Sequence, residues 1–181
     1  MLVLVGKSGS GKTTVARILE EMYGVKRAVT CTTRPPREGE IDGKDYHFLS
    51  PQEFLKKERA GEIAEVSQTG PYRYGSLKDS YHDDNSVIVL DPSGLRHIQK
   101  DRVREGYRVL AIHLYADDAL LQKRLSGRGE DPDAATKRLA EDSVRFDGII
   151  NLCDYQIVQN ENAKAEDIAS LLSAMLRAGG V

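Results

Sequence analysis

Apolar positions along this 181-residue chain change rhythm repeatedly, and each change predicts an element. Leu2 to Val5 are uninterrupted aliphatics, the pattern of a parallel strand covered on both faces. After Lys12, Val15, Ile18, Leu19 and Met22 fall at i, i+3, i+4 and i+7. That spacing predicts an amphipathic helix burying those four side chains and stopping at Gly24. "KRAVTCTT" is rich in β-branched residues and strand-like, "RPPREGEIDG" is a turn-rich loop, and "DYHFL" is a short strand. "SPQEFLKKERAGE" reads as a helix with Ser50 as N-cap, Pro51 in first position, Glu53 as capping-box partner and Gly61 at its end. "EIAEVSQ" alternates, and "GPYRYGS" reads as a turn. "SVIVLD" is the clearest internal strand, with "PSGLRHIQKDRVREG" as a helix behind it and "YRVLAIHLYA" as the next buried strand. Asp117 caps "DALLQKRLSG", "DPDAATKRLAEDSVRF" is a further helix, "DYQIVQ" a last strand and "AEDIASLLSAMLRAGG" a closing helix.

Strands alternating with helices imply right-handed crossovers, so the expected fold is α/β with a mainly parallel sheet flanked by helices. Ligands then gather at the carboxyl ends of the strands. The phosphate loop described next, Thr30 to Thr33, Asp91 and Asn160 are expected on that rim. The short strands and turns from about Arg34 to Lys78 suit an inserted substrate-binding subdomain.

"GKSGSGKT" stands between the first strand and the first helix. Gly6, Gly11, Lys12 and Thr13 fit G-x-x-x-x-G-K-[ST], a motif whose required context is a strand before and a helix after. Glycine-rich backbone is costly to order. Here it lets consecutive N–H groups converge on phosphate oxygens at a helix N-terminus. Gly6, Ser8, Gly9, Ser10, Gly11, Lys12, Thr13 and Thr14 are therefore the candidate ATP contacts. Lys12 is placed for the β- and γ-phosphates and the Thr13 hydroxyl for Mg²⁺.

Composition narrows the partners. The formal net charge is −2 with 26 basic and 28 acidic residues, which leaves no nucleic-acid footprint. The two cysteines, Cys31 and Cys153, suggest a reducing compartment rather than a disulfide framework. "MLVLV" is too short for a signal-peptide core, and no apolar run reaches membrane-span length, so a cytoplasmic protein is expected. Four histidines show no metal-ligand spacing.

A second stretch makes the phosphate chemistry more specific. Arg34 and Arg37 flank two prolines in "TTRPPREGEIDGKDYHF", a rigid loop with two guanidiniums suited to a monophosphate, and Tyr46 adds a hydroxyl. Asp91 ends an apolar strand. From there an acid can bind Mg²⁺ through water, contact a substrate or cap the next helix. Arg124 and Arg128 are i, i+4 and are expected to share one helix face toward a cleft.

That arginine loop, with the phosphate loop before it and "YRYGS" and "RLSGRG" after it, closely resembles the guanylate kinase family from Leu2 to about Leu172. The resemblance implies the Mg²⁺-dependent reaction ATP + GMP to ADP + GDP, with dGMP as a further expected substrate, in a monomer or homodimer. It implies a core (about 1–33, 79–120 and 150–181), a GMP-binding region (about 34–78) and a helical lid (about 121–149). It also implies that Arg34, Arg37, Tyr46 and Tyr74 hold the GMP phosphate, while Glu65 reads guanine N1–H and the 2-amino group. Thr30 and Ser76 then lie near O6 and N7, Asp91 is the acid after the central strand, Arg128 and Arg138 meet the transferring phosphoryl, and Arg124 and Asn160 flank the adenine. The chain departs from the family pattern at Lys7, where proline is usual, at Val89, where a second acid is common, and in a short segment from Leu77 to Ser86. A phosphopeptide-binding module of the same fold and a kinase for another phosphate ester are the rival readings. The retained Lys12, Thr13 and lid arginines argue against the first, and Glu65 with Ser76 against the second.

Overall fold

Leu2–Val5 forms strand β1 and is wholly buried, as uninterrupted aliphatics require. The structure is a computed structural model that describes residues 1–81, 85–105 and 108–178. The expected helix end at Gly106, strand start at Tyr107 and closing glycines at 179–180 lie outside the described residues, as does His82. Strand β1 sits between β7 (Ser86–Val89) and β8 (Leu110–Tyr115), with β2 (Lys26–Arg27) and β9 (Tyr155–Val158) at the edges. Every pairing in this five-stranded sheet is parallel. Successive side chains of a strand point to opposite faces. Leu2 and Leu4 accordingly cluster with Val15 and Leu19 of α1 (Lys12–Tyr23) and Leu172 of α6 (Ala165–Arg177). Val3 and Val5 cluster with Leu95 and Ile98 of α3 (Pro92–Glu105).

Two local expectations change here. The buried stripe of α1 runs through Val15, Ala16 and Leu19 toward the half-buried Tyr23, and Met22 is 64% exposed. A small residue against α6 shifted the stripe by one position. The strand expected over "KRAVTCTT" is divided between two sheets: Lys26–Arg27 stays on the parallel sheet, while Cys31–Thr32 (β3) enters a second one.

The second sheet has the order β4 (His47–Phe48), β3, β6 (Tyr72–Leu77), β5 (Ile63–Thr69). Thr32 and its neighbours thus belong to this sheet and not to the rim of the parallel one. "GPYRYGS" is mostly strand, because Thr69 pairs with Tyr72 across a tight hairpin whose Gly70 has φ +58°. Helix α2 (Pro51–Arg59) carries the expected capping box between Ser50 and Glu53 and packs Phe54 against Cys31 and Ile63. Helices α4 (Asp118–Ser126) and α5 (Pro132–Arg145) pair through Leu121, Leu125, Ala135 and Leu139. Among the described residues, no helix is long and apolar enough to cross a membrane.

Candidate active site

The turn from β1 into α1 needs its glycines for two separate reasons. A Cβ on Gly6 would collide with the Leu114 carbonyl and Ser10 Oγ, and Gly9 and Gly11 have φ of +81° and +87°. The loop wraps Lys12, whose Nζ donates to the carbonyls of Gly6 at 2.7 Å and Lys7 at 2.9 Å. Burial pushes this ammonium down to about 8; the Asp142 carboxylate opposes that shift, and the charge of Arg128 adds to it.

Other side chains hold the loop from outside. Gln159 donates Nε2 to the buried Ser10 carbonyl at 3.0 Å and accepts at Oε1 from Arg124 Nη1 at 3.0 Å. Lys7 donates to Asp118 Oδ1 at 2.7 Å and to Ser143 Oγ at 2.8 Å. Lys7 is thus a cation that ties the loop to α4 and α5. The Ser8 N–H donates to Asp142 Oδ2 at 2.7 Å, so a buried carboxylate of α5 sits on backbone suited to phosphate.

The second sheet contributes the opposite wall. Arg34 donates Nη2 to Glu40 Oε1 at 2.8 Å, and its guanidinium lies 5.5 Å from the Tyr46 ring centroid and 5.7 Å from that of Phe48. Glu40 also accepts from the Arg37 N–H at 2.7 Å and so organises the whole arginine loop. The two guanidiniums do not project alike, since Arg34 is largely covered and Arg37 is exposed. The Tyr46 and Tyr74 rings meet edge to face at 6.2 Å. Burial pushes the Tyr46 phenol up, Tyr74 adds to this, and Arg34 opposes it.

Next to them, Ser76 Oγ donates to Glu65 Oε1 at 2.6 Å. The bulge between Ile63 and Glu65 brings that carboxylate into register with Ser76. Gly94 leaves it room: a Cβ there would stand 3.2 Å from Glu65 Oε1. Burial, with Glu65 as a further cause, pushes the neighbouring Cys31 thiol up to about 11, so it remains a packed thiol donating to the Gly75 carbonyl.

Helices α4 and α5 contribute the remaining arginines. Arg124 and Arg128 do not share a helix face, because α4 ends at Ser126 and Arg128 lies in the turn beyond it. Arg138 pairs with Glu130 at 3.1 Å. Asp91 has both oxygens engaged: Oδ1 accepts from the Gly94 N–H at 2.9 Å and Oδ2 pairs with Arg145 Nη2 at 3.2 Å. It is the cap of α3 and an ion-pair partner.

These groups line one cleft of about 750 Å³, well sized for small-molecule ligands. Gly6, Ser8, Gly9, Lys12, Thr13, Thr30, Arg34, Arg37, Tyr46, Glu65, Tyr74, Ser76, Asp91, Arg128 and Arg138 all reach it. Ser10 and Gly11 shape the loop behind that surface, Thr14 is exposed, and Asn160 is exposed and accepts from the Asn162 N–H. Its neighbour Gln159 makes the contact to the loop. Sequence reasoning missed Glu40, Asp142, Arg145 and Gln159. Arg138, Asp142 and Arg145 fall at i, i+4 and i+7, so one charged face of α5 was legible in the spacing.

Comparison with known proteins agrees with this geometry. The model of the family described as "Guanylate kinase" matches residues 1–178. A guanylate kinase of Salinibacter ruber is 34% identical over 179 residues, covering 89% of this chain and 88% of the relative. One from Thermotoga maritima is 32% identical over 183 residues, covering 98% and 86%. The crystal structure of the guanylate kinase from Anaplasma phagocytophilum superposes with a TM-score of 0.73 at 28% identity, covering 99% of this chain and 85% of that one. A shikimate kinase from Acinetobacter baumannii, at 16% identity and a TM-score of 0.52, shares the fold alone. With its phosphate loop, its arginine loop and the Glu65 carboxylate gathered in one cleft, this chain belongs to the guanylate kinase family.

Proposed function

We propose that this protein transfers the γ-phosphoryl group of ATP to GMP or dGMP, giving ADP and GDP or dGDP. One observation carries the reading. The loop of β1–α1 and the Arg34, Tyr46, Tyr74, Glu65 and Ser76 group of the second sheet line the same cleft. A triphosphate and a monophosphate nucleotide bound at those two walls face each other.

The loop N–H groups and Lys12 take the β- and γ-phosphates of ATP, and Arg34 and Arg37 with the phenols of Tyr46 and Tyr74 take the GMP phosphate. Glu65 accepts from guanine N1–H and the 2-amino group, with Ser76 holding its carboxylate and Thr30 alongside. Adenine presents an acceptor at N1 and no 2-amino group, so it withholds both base donors from that carboxylate, a large penalty in a desolvated site. An oxygen of the GMP phosphate attacks the γ-phosphorus, and the bond to the β,γ-bridging oxygen breaks. Arg128 and Arg138 stabilise the charge on the transferring group. Such a reaction depends on positioning and charge neutralisation more than on proton transfer, which suits a cleft rich in arginine. Arg124 orders the loop on the adenosine side.

Magnesium prefers one or two protein oxygens, with phosphate oxygens and water completing its shell. Thr13, which lines the cleft, fits that role directly, and Asp91, engaged by Gly94 and Arg145, fits a contact through water. The ion supplies charge neutralisation at the phosphates. The second sheet with α2 acts as the GMP-binding region, and α4–α5 acts as the lid.

A panel of monophosphates (GMP, dGMP, IMP, AMP and ribose 5-phosphate) with ATP in a coupled ADP assay tests the proposal. GMP and dGMP should turn over fastest. Turnover of none of them overturns the reading.

A further inference from the structure

We propose that Arg145 is a positioning residue that couples the two substrate sites, by joining the last turn of α5 to the second sheet and to the end of β7. The inference rests on the functional reading above. Arg145 Nη1 donates to Thr69 Oγ1 at 2.9 Å and Nη2 to the Gln68 carbonyl at 3.2 Å. The same Nη2 pairs with Asp91 Oδ2 at 3.2 Å, and Nη1 lies 3.9 Å from Asp142 Oδ1. One guanidinium therefore holds a helix of the proposed lid, the distal end of the strand that carries Glu65, and Asp91 two residues beyond β7.

The contacts continue in both directions. On the triphosphate side, Asp142 accepts from the Ser8 N–H of the phosphate loop at 2.7 Å. On the monophosphate side, Asp91 caps Gly94, and a Cβ at Gly94 would stand 3.2 Å from Glu65 Oε1. Ser8, Asp142, Arg145, Asp91 and the Gly94 N–H form a chain of polar contacts from the loop to the start of α3, which packs on β5, the strand that carries the base-reading Glu65. Arg145 is the only member that spans α5, β5 and Asp91 together, and its planar fork meets Thr69, Gln68 and Asp91 in one fixed geometry. Filling either site shifts one end of this path, so each nucleotide favours the arrangement that binds the other.

Coupling between two sites is reciprocal and commonly five- to 150-fold. The test measures the dissociation constant of GMP by calorimetry with and without a saturating non-hydrolysable ATP analogue, in wild type, Arg145→Gln, Arg145→Lys and Thr69→Val. In wild type the analogue should tighten GMP binding about tenfold. Arg145→Gln should reduce that factor to below about twofold, Arg145→Lys should recover part of it through Asp91, and Thr69→Val should lower it without changing α5. In steady state Arg145→Gln should lower kcat more than it raises the KM for ATP. A merely structural ion pair would lower Tm and leave the coupling factor unchanged. An equal factor in wild type and Arg145→Gln, or no coupling in wild type, overturns the inference. If Arg145→Gln fails to fold, an unchanged factor in Thr69→Val does the same. A wild-type protein that does not phosphorylate GMP overturns the functional reading itself.

Discussion

The backbone N–H of Ser8 donates to the carboxylate of Asp142 at 2.7 Å, so helix α5 places its own anion on the phosphate loop. Asp142 is buried, and nucleotide phosphate must compete with it for that donor. Asp142→Asn keeps the size and removes the charge. At pH 6.5 the variant should bind ATP roughly tenfold more tightly, equivalent to about 1.4 kcal/mol. Titration with a non-hydrolysable analogue measures this, and weaker binding would mean that the carboxylate holds the loop in its active shape.

Lys12 supplies a pH dependence. Burial lowers its folded pKa to about 8, against an ordinary value of 10.5. The protonated form, which binds phosphate, predominates below that value. The kcat/KM for ATP should therefore fall as pH rises through about 8. Asp142 raises this pKa, so Asp142→Asn should move the inflection to lower pH. Lys12→Ala should nearly abolish turnover in a folded protein. A wild-type profile flat to pH 10 would place the phosphate contact elsewhere.

Glu65 should decide base selection. Glu65→Gln turns one acceptor into a donor facing a guanine donor, and one bidentate base contact is worth roughly 1–3 kcal/mol. The kcat/KM for GMP should drop by roughly ten- to over a hundredfold. AMP should gain relative to GMP, because a Gln amide can donate to adenine N1. Wild type should rank IMP between GMP and AMP. An unchanged ranking in the variant would show that Glu65 does not touch the base.

Arg128 and Arg138 should act on the transferring group more than on substrate affinity. Alanine at either should lower kcat by much more than it raises the KM for GMP. Because Arg138 is already held by Glu130 at 3.1 Å, Glu130→Gln should produce a weaker loss of the same kind. Stopped-flow phosphoryl transfer separates this from slow product release. Wild-type kcat in both alanine variants would reduce these arginines to a solvated face.

Local pattern was enough for the parallel sheet, the phosphate loop, the capped α2 and the loop of Arg34 and Arg37. Each depends on short-range chemistry: continuous aliphatics demand a buried strand, closely spaced glycines permit convergent N–H groups, and Ser50 with Glu53 satisfies a helix start. The roles given to Arg34, Glu65 and Arg138 came from resemblance to a family, and the cleft brings those three together. What lay beyond the sequence depended on contacts between distant residues. Whether Cys31–Thr32 joined the first or second sheet was decided by pairing with Tyr74 and Phe48, 42 and 16 residues beyond Thr32. Which of Gln159 and Asn160 met the phosphate loop was set once β9 had docked on β8 and the Gln159 N–H had bonded to the Tyr115 carbonyl. Lys7, a departure with no local explanation, gained Asp118 and Ser143 as partners only when α4 and α5 packed together. Asp142 and Arg145 stood in plain view on one helix face, but a helical period says which side chains share a face and not what faces them. Folding supplied their partners, Ser8 on one side and Asp91 and Thr69 on the other.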